Sequence, residues 1–256
     1  MKNNVKTDVK EVARIIKNAK FATAFSGAGI SVESGIPPFR GAGGLWEKYD
    51  PKFIEIDFFY ANPLKSWNEM KKIFFNSMGK AAPNKAHQVL ARMEKEGFLK
   101  GVITQNIDYL HQRAGSKNVQ EFHGTINYLV CTRCAKRYSV DSFDLSAVLP
   151  QCSCGGVLKP DFVFYGEGIN PQVYSASLEL AAQSDVMLVI GTSGEVMPAC
   201  SMPLIAKQKT PPATIIEVNT LPSTYTGAVS DFYFEEKASS FFAALEKELF
   251  LSPQTN

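Results

Sequence analysis

Short apolar segments that alternate with helix-like segments most strongly constrain how this chain of 256 residues can fold. The apolar segments read FATAF, GVITQNID, VQEFHG, DVMLVIGTSG, ATIIEVN and DFYFEE, in that order. Before and between them, segments such as 8–20 and 84–97 carry apolar residues at helical spacing. Strands that are apolar throughout and alternate with helices are typical of a parallel sheet with helices on both faces. The sequence therefore predicts an α/β fold built on a doubly wound, Rossmann-like parallel sheet.

Charge and hydropathy argue against several classes of protein. A net charge of +2 without a long basic run disfavours nucleic acid as a partner. The N-terminus lacks the apolar core of a signal peptide, and no run of about 18 apolar residues indicates a membrane span. We therefore expect a soluble, cytoplasmic protein with neither a membrane nor a nucleic acid as its partner. A monomer is a separate expectation.

Four of the five cysteines lie close together in the sequence, as Cys131-x-x-Cys134 and Cys152-x-Cys154. In a cytosolic chain such pairs favour a metal over disulfides, and four thiolates suit a closed, structural zinc site. The second pair is one residue shorter than the usual C-x-x-C, and four reduced cysteines without metal are the alternative. The remaining Cys200 is expected to be a buried, small apolar residue.

The first apolar segment runs into the stretch FSGAGISVESGIPPFR, residues 25–40. We expect Gly27, Ala28 and Gly29 to let a diphosphate approach backbone N–H groups at a strand end. The third glycine, Gly35, does not fit the spacing of a G-x-G-x-x-G motif. A tight turn that needs positive φ is therefore an open alternative for these glycines.

Three other predicted strands also end in polar residues, at 105–108, 191–193 and 217–219. The carboxyl ends of parallel strands meet at one edge of a sheet, so together these ends predict a dinucleotide site. Any one of these polar residues could instead cap a helix.

The chain has three histidines, and His123 lies at a strand end beside Gly124. An imidazole titrates near neutral pH and suits general-base catalysis, so His123 is a candidate base, with a structural role as the alternative for a lone histidine. His87, inside a predicted helix, is interpreted as structural. His111 is interpreted as satisfying nearby backbone groups.

Seven motifs, taken together, resemble one family. GAGISVESGIPPFR, TQNIDYLHQRAG, EFHG, the paired cysteines, KPDFVFYGE, GTSGEVMPA and IIEVN occur in the order seen in sirtuins, the NAD-dependent protein lysine deacylases. The resemblance extends from about residue 8 to residue 249. It implies NAD as co-substrate, a structural Zn²⁺ in an inserted zinc ribbon, and acyl-lysine proteins or peptides as partners. It also implies a Rossmann-like domain (1–40, 84–127 and 160–256), a helical insert with a cofactor loop (41–83) and a zinc-binding module (128–159).

The resemblance also implies a reaction and roles for individual residues. The acyl oxygen attacks the ribose C1′ as nicotinamide leaves, and the products are free lysine and O-acyl-ADP-ribose. His123 deprotonates a ribose hydroxyl, Asn106 and Asp108 orient the ribose and carboxamide, and Phe39 excludes water. The residues implied to bind NAD are Gly27, Ala28, Gly29, Ile36, Phe39, Arg40, Gln105, Asn106, Ile107, Asp108, Gly191, Thr192, Ser193, Asn219 and Ala238.

The peptide is implied to add as a strand between segments 163–167 and 194–196. The substrate-binding residues are then Met70, Ile73, Val163, Phe164, Gly166, Glu167, Gly194 and Val196. The segment GAGGLWEKYDP is similar to the subgroup that contains desuccinylases, which bind an acidic acyl chain with a Tyr and an Arg. Met70 and Ile73 occupy those two positions, and neither can pair with a carboxylate. We therefore expect an apolar acyl pocket, for acetyl or for a longer fatty or lipoyl-like chain.

The chain departs from the family pattern at Pro38, where Asp or Thr is common, and at Gly194 and Glu195, where an apolar pair is common. Proline fixes φ and lacks an N–H, so we expect an altered loop. Two other functions stay open. One is mono-ADP-ribosyl transfer on the same scaffold, and the other is a non-catalytic sensor of NAD or ADP-ribose.

Overall fold

The structure is a computed structural model that describes residues 8–39, 41, 43–75, 78, 80–145 and 149–250. The described residues form nine strands. These are β1 (Ala22–Ser26), β2 (Gly101–Thr104), β3 (Val119–Glu121), β4 (Gly124–Cys131), β5 (Arg137–Ser139), β6 (Leu158–Phe162), β7 (Val186–Ile190), β8 (Thr214–Asn219) and β9 (Phe232–Glu235).

Six of these strands form one sheet in the order β3-β2-β1-β7-β8-β9, and every neighbouring pair is parallel. The predicted α/β fold with a parallel, Rossmann-like sheet is therefore confirmed. The strand order reverses between β1 and β7, and such a switch point is where open α/β sheets bind ligands.

Helices cover both faces of this sheet, and the short helices of residues 45–70 pack apart from it. The helices are α1 (Val9–Asn18), α2 (Leu45–Lys48), α3 (Ile56–Ala61), α4 (Pro63–Met70), α5 (Lys85–Lys95), α6 (Leu110–Ala114), α7 (Pro171–Gln183), α8 (Met202–Gln208) and α9 (Ala238–Phe250). Asp8 caps α1 by accepting a hydrogen bond from the N–H of Lys10, as its position before an apolar-periodic run predicts. Asn84 caps α5 in the same way.

The strand β1 is buried along its whole length. Its alternate side chains point to opposite faces, so Ala22 and Ala24 pack against α1, α5 and α9, whereas Phe25 packs on the side of α7 and α8. This two-sided burial explains why the strand sequences show no alternation of polar and apolar residues.

A smaller antiparallel sheet, in the order β5-β4-β6, follows the edge strand β3. The segment VQEFHG is not the single strand that its composition indicates. The strand β3 ends at Glu121, the chain turns, and β4 begins at Gly124, whose φ of +74° suits glycine.

Residues of α2, α3 and α4, and of a π-helical turn (Lys71–Phe75), pack with β4 and β6 into an apolar cluster separate from the cores of the large sheet. Among the described residues, no helix combines the length and the hydrophobicity needed to cross a membrane.

Candidate functional site

The ends of β2, β7 and β8 are joined by side-chain hydrogen bonds. Gln105 Nε2 donates to Thr192 Oγ1 at 3.0 Å, and Asn219 Nδ2 donates to the Thr192 carbonyl at 2.9 Å. The structure thus brings together three of the strand ends that the sequence predicts to meet. We call Gln105, Asn106, Asp108, Thr192 and Asn219 the strand-end cluster.

Gly27 and Gly29, after β1, pack directly against the backbone of the β7 end. Their N–H groups donate to the carbonyls of Ile190 (2.9 Å) and Gly191 (2.8 Å). A Cβ on Gly29 would lie 2.6 Å from Gly191 Cα, so a side chain cannot fit there.

This contact gives the two glycines a packing role, which is separate from the predicted approach of a diphosphate. Their N–H groups are already bonded within the protein, whereas Ala28 starts a short 3₁₀ helix (Ala28–Ser34), where an N–H has no acceptor in the helix. The alternative based on positive φ fits Gly35 (φ +86°), and it does not fit Gly27 (φ −121°).

Asn106 and Asp108 are joined by Ser31, a residue that the sequence reasoning missed. Asn106 Nδ2 donates to the Gly27 carbonyl (3.1 Å) and to Ser31 Oγ (3.2 Å), and Ser31 Oγ donates to Asp108 Oδ2 at 2.6 Å. All three residues are buried, and burial raises the pKa of Asp108 while the hydrogen bond from Ser31 opposes that rise. The only sequence signal for Ser31 is its place inside the GAGISVES motif.

His123 connects the strand-end cluster to the segment that follows β6. Its Nδ1 atom lies 3.0 Å from the Gln105 carbonyl, and its own carbonyl accepts a hydrogen bond from the N–H of Val163 at 2.9 Å. Burial lowers the pKa of the imidazole, and the contact with Gln105 partly offsets this effect. A neutral imidazole whose Nδ1–H donates to a carbonyl keeps Nε2 as a proton acceptor.

The other two histidines are buried against each other, with ring centroids 4.9 Å apart. His87 is structural as predicted, since its ring accepts from the N–H of Asn84 in a capping box. For His111 the prediction of a backbone partner is wrong, because its Nε2 atom lies 2.9 Å from the hydroxyl of Ser26. Burial lowers the pKa of both imidazoles, to about 4 for His87.

Segment 163–167 is held on one side by the helical insert and internally by Glu167. Tyr165 donates from its N–H to the Ile54 carbonyl at 2.9 Å. The Oε2 atom of Glu167 accepts from the Phe164 N–H (2.8 Å) and from Lys159 Nζ (2.9 Å). Gly166 adopts a φ of +91°. The carboxylate of Glu167 therefore shapes this segment.

The second predicted peptide-binding segment, 194–196, follows Ser193. Gly194 adopts a φ of +74°, and the carbonyl of the half-buried Val196 accepts from the N–H of Cys200 at 2.9 Å. Glu195 is exposed and accepts a hydrogen bond from Ser193 Oγ at 3.1 Å. Cys200 is buried, as the sequence predicts.

Met70 and Ile73 are buried among aromatic rings. Phe162 lies 4.9 Å from Phe164 between ring centroids, Phe59 lies 5.4 Å from Phe164, and Phe74 lies 5.5 Å from Phe162. We call Phe59, Met70, Ile73, Phe74, Phe162 and Phe164 the aromatic cluster.

Three of the residues predicted to line the cofactor pocket border the same apolar region. Ile36 and Ile107 are buried in it, and Phe39 packs on it against Trp46 at 5.4 Å. Ala238 is buried at the start of α9, next to Ser239, whose N–H donates to Glu33. Arg40 lies outside the described residues.

The four paired cysteines converge at one end of the small sheet. Their sulfur atoms all lie within 4.8 Å of one another, with Cys131–Cys154 at 3.5 Å and Cys134–Cys152 at 3.6 Å. A tetrahedral zinc–thiolate site has sulfur atoms about 3.8 Å apart, so this set fits Zn²⁺.

Two further groups support a thiolate at Cys152. Backbone hydrogen bonding from Cys154 and a hydroxyl contact with Tyr138 (3.0 Å) lower the pKa of Cys152 to about 6. Cys131 ends the strand that begins beside His123, roughly 25 Å away at the rise of a strand. A metal at this distance from His123 has a structural role.

Comparison with known proteins gives concordant results. Residues 27–198 match the model of the Sir2 family. The chain is 45% identical over 243 residues to an NAD-dependent protein deacylase of Aeropyrum pernix, covering 94% of this chain and 97% of that protein. It is 42% identical over 246 residues to an NAD-dependent protein deacylase of Pyrococcus furiosus, covering 93% and 97%.

Two solved structures are similar over nearly the whole chain. A mutant Sir2 homologue in complex with ADP-ribose superposes with a TM-score of 0.87 at 38% identity, covering 94% of this chain and 98% of that one. A complex of Sir2 with p53 peptide and NAD+ gives a TM-score of 0.86 at 33% identity, covering 96% and 100%.

Proposed function

The chain belongs to the Sir2 family, and from this premise we propose that it is an NAD-dependent protein lysine deacylase. It transfers the acyl group of an acyl-lysine to ADP-ribose and releases nicotinamide. The observation that carries the proposal is the position of His123, which contacts Gln105 of the strand-end cluster and also holds Val163 of the predicted peptide-binding segment.

NAD supplies the ribose carbon from which nicotinamide leaves and to which the acyl oxygen adds. The strand-end cluster provides donors and acceptors for the ribose and carboxamide. The hydroxyl of Ser31 bonds to both Asn106 and Asp108 and fixes their relative positions. Preorganised polar groups in a site that excludes water stabilise developing charge more than water does. Ile107 and Phe39 border the apolar region and limit access of water.

His123 acts as the general base toward a ribose hydroxyl. The pKa lowered by burial keeps the imidazole neutral at physiological pH, which a base requires. Its backbone carbonyl holds Val163, so the same residue fixes the distance between base and peptide segment. The acylated side chain inserts between the buried side chains of the aromatic cluster, whose apolar interior favours an uncharged acyl group.

Cys131, Cys134, Cys152 and Cys154 hold a structural Zn²⁺ that cross-links the end of the small sheet. Four reduced thiolates suit a reducing compartment, which supports a cytoplasmic location. We also propose that the protein acts as a monomer on acyl-lysine proteins or peptides. Neither a nucleic acid nor a membrane is part of the proposed reaction.

The test is release of nicotinamide and formation of O-acyl-ADP-ribose from NAD with a panel of acyl-lysine peptides. His123→Ala should lower kcat by about 10²- to 10⁴-fold, the usual contribution of a general base. Glu179→Gln, on the exposed surface of α7, is the control and should retain the wild-type rate. Labelled ADP-ribose on a protein acceptor, with lysine acylation intact, would instead identify a mono-ADP-ribosyltransferase. Tight NAD binding without nicotinamide release would identify a sensor.

A further inference from the structure

We propose that Thr224 is a positioning residue for segment 192–196, and that the buried carboxylate of Glu217 holds the turn on which Thr224 lies. The inference rests on the proposed function, because that function uses Ser193 for NAD and Gly194 and Val196 for the peptide. Thr224 and Glu217 contact neither substrate in this proposal and act through the segment.

Glu217, in the middle of β8, is only 1% exposed. No ion pair to Glu217 occurs among the described residues, and its carboxylate instead accepts hydrogen bonds from three hydroxyl groups. Ser223 Oγ lies at 2.5 Å, Thr226 Oγ1 at 2.9 Å and Ser230 Oγ at 2.6 Å. A buried carboxylate is costly unless it is hydrogen-bonded, so these contacts tie residues 223–230 to the sheet.

Two hydrogen bonds from Thr224 join this turn to segment 192–196. The N–H of Thr224 donates to the Ser193 carbonyl at 3.1 Å, and its Oγ1 donates to the Gly194 carbonyl at 3.0 Å. The neighbouring Tyr225 is buried, and its hydroxyl donates to the Cys200 carbonyl at 2.8 Å. The turn therefore fixes both ends of residues 193–200.

Close packing at Gly194 adds a steric contact to these hydrogen bonds. A Cβ at this position would lie 2.7 Å from the Tyr225 ring and would also overlap the Thr224 hydroxyl. Together with a φ of +74°, this explains why the chain has glycine where the family pattern often has an apolar residue. The missing side chain leaves the space that the turn occupies.

Segment 192–196 is thus held from two directions. Asn219 fixes the Thr192 carbonyl at 2.9 Å, and Thr224 fixes the next two carbonyls. The segment contains Ser193, which is predicted to bind NAD, and Gly194 and Val196, which are predicted to bind the peptide. Loosening it should therefore weaken binding of both substrates together. The chemistry at His123 should be affected much less.

The test compares Thr224→Val, which keeps the shape and removes the hydroxyl, with Thr224→Ser, which keeps the hydroxyl. In nicotinamide-release assays, Thr224→Val should raise KM for NAD and for the acyl-peptide together, each by about three- to tenfold, with kcat within about twofold of wild type. Thr224→Ser should restore both KM values to within about twofold. Glu217→Gln should also raise both KM values. Its amide has one acceptor oxygen where the carboxylate has two, so it holds the hydroxyls of the turn, and with them Thr224, less firmly.

The proposal is overturned if Thr224→Val leaves both KM values unchanged, lowers kcat instead, or changes KM for one substrate alone. It is also overturned if Thr224→Ser is as impaired as Thr224→Val. Calorimetric titration of NAD separates this result from failure of the proposed function. A wild-type protein that binds NAD without releasing nicotinamide refutes the deacylase, and the predicted weakening of NAD binding in Thr224→Val still tests the positioning role.

Discussion

The strand-end cluster and the aromatic cluster are built from opposite chemistry, and both are connected to His123. In the strand-end cluster, short polar side chains bond to one another and to backbone carbonyls, as in the Asn106–Ser31–Asp108 series. In the aromatic cluster, contact is made by rings and apolar side chains such as Phe164 and Met70, which are fully buried. Gln105 connects His123 to the first region, and Val163 connects it to the second.

This difference separates two functions within one site. Hydrogen bonds have narrow geometry, so the strand-end cluster suits a ligand that must be held in one orientation. Apolar contact is non-directional and scales with buried area, so in the proposed function the aromatic cluster would select by size and by absence of charge. Changes in the first region should alter the rate, and changes in the second should alter the choice of acyl group.

The largest effect should come from Asn106→Ala in the strand-end cluster. The variant removes a donor that bonds to the Gly27 carbonyl and to Ser31, and we expect kcat/KM to fall by about 10²- to 10³-fold. The ratio of rates on acetyl- and butyryl-lysine peptides should stay within about twofold. A changed ratio would contradict the separation of the two regions.

A smaller but clear effect should appear when wild-type protein is offered acetyl-lysine and succinyl-lysine peptides. Met70 and Ile73 carry no charge, and the cation beside the aromatic cluster, Lys159 Nζ at 4.0 Å from the Phe164 ring centroid, is already paired with Glu167. A succinyl carboxylate there would be buried without a cation of its own. We expect kcat/KM to favour acetyl by about a hundredfold, which corresponds to about 3 kcal/mol. A preference for succinyl would refute the apolar pocket.

Met70→Ala should shift acyl-chain preference by about tenfold toward octanoyl-lysine, because it removes buried volume from the aromatic cluster. Met202→Ala is the matched control, since Met202 is equally buried but lies in the core beside α7 and α8. Both variants should lose about 2–5 kcal/mol in the free energy of unfolding. An unchanged preference in Met70→Ala, or an equal shift in both variants, would count against the assignment.

The smallest effect concerns pH. His123 must be neutral to accept a proton, and burial lowers its pKa below the ordinary 6.5, so the acid limb of kcat/KM should lie below pH 6.5. Between pH 7.5 and 6.5 the rate should change by less than about twofold. A limb at or above pH 7 would contradict this expectation.

Glu121 provides the control for that profile, because burial raises its pKa to about 7. If the observed limb moves in Glu121→Gln, then the titrating group is this carboxyl and the assignment to His123 is wrong. If the limb is unchanged, the profile reports on the imidazole.

Local sequence patterns were sufficient to predict the parallel sheet and the cysteine cluster. Apolar runs such as that of β7 report burial on both faces, and the two short cysteine pairs bring four thiolates together almost regardless of the intervening chain. The predicted strands were too long at their polar ends, since β2 stops at Thr104 and the following residues leave the ladder.

Contacts between residues far apart in sequence could not be predicted in this way. Ser31 bonds to Asn106 across 75 positions, and apart from its place in the GAGISVES motif nothing local distinguishes it from other serines. The need for Gly29 arises from Gly191, which only the folded sheet brings close. The fixation of segment 192–196 by Thr224 depends likewise on the arrangement of two loops after β7 and β8.

Because Cys200 is buried, its thiol can report on opening of the surrounding chain. Its carbonyl is held by Tyr225, and its Sγ lies 3.1 Å from the Met197 sulfur, in the stretch that follows the predicted peptide-binding segment. With the other four thiols coordinated to zinc, an alkylating reagent would modify Cys200 only when this stretch opens. The labelling rate of the unaltered protein would therefore measure how often this stretch opens. It would also measure how strongly NAD and an acyl-peptide each suppress that opening.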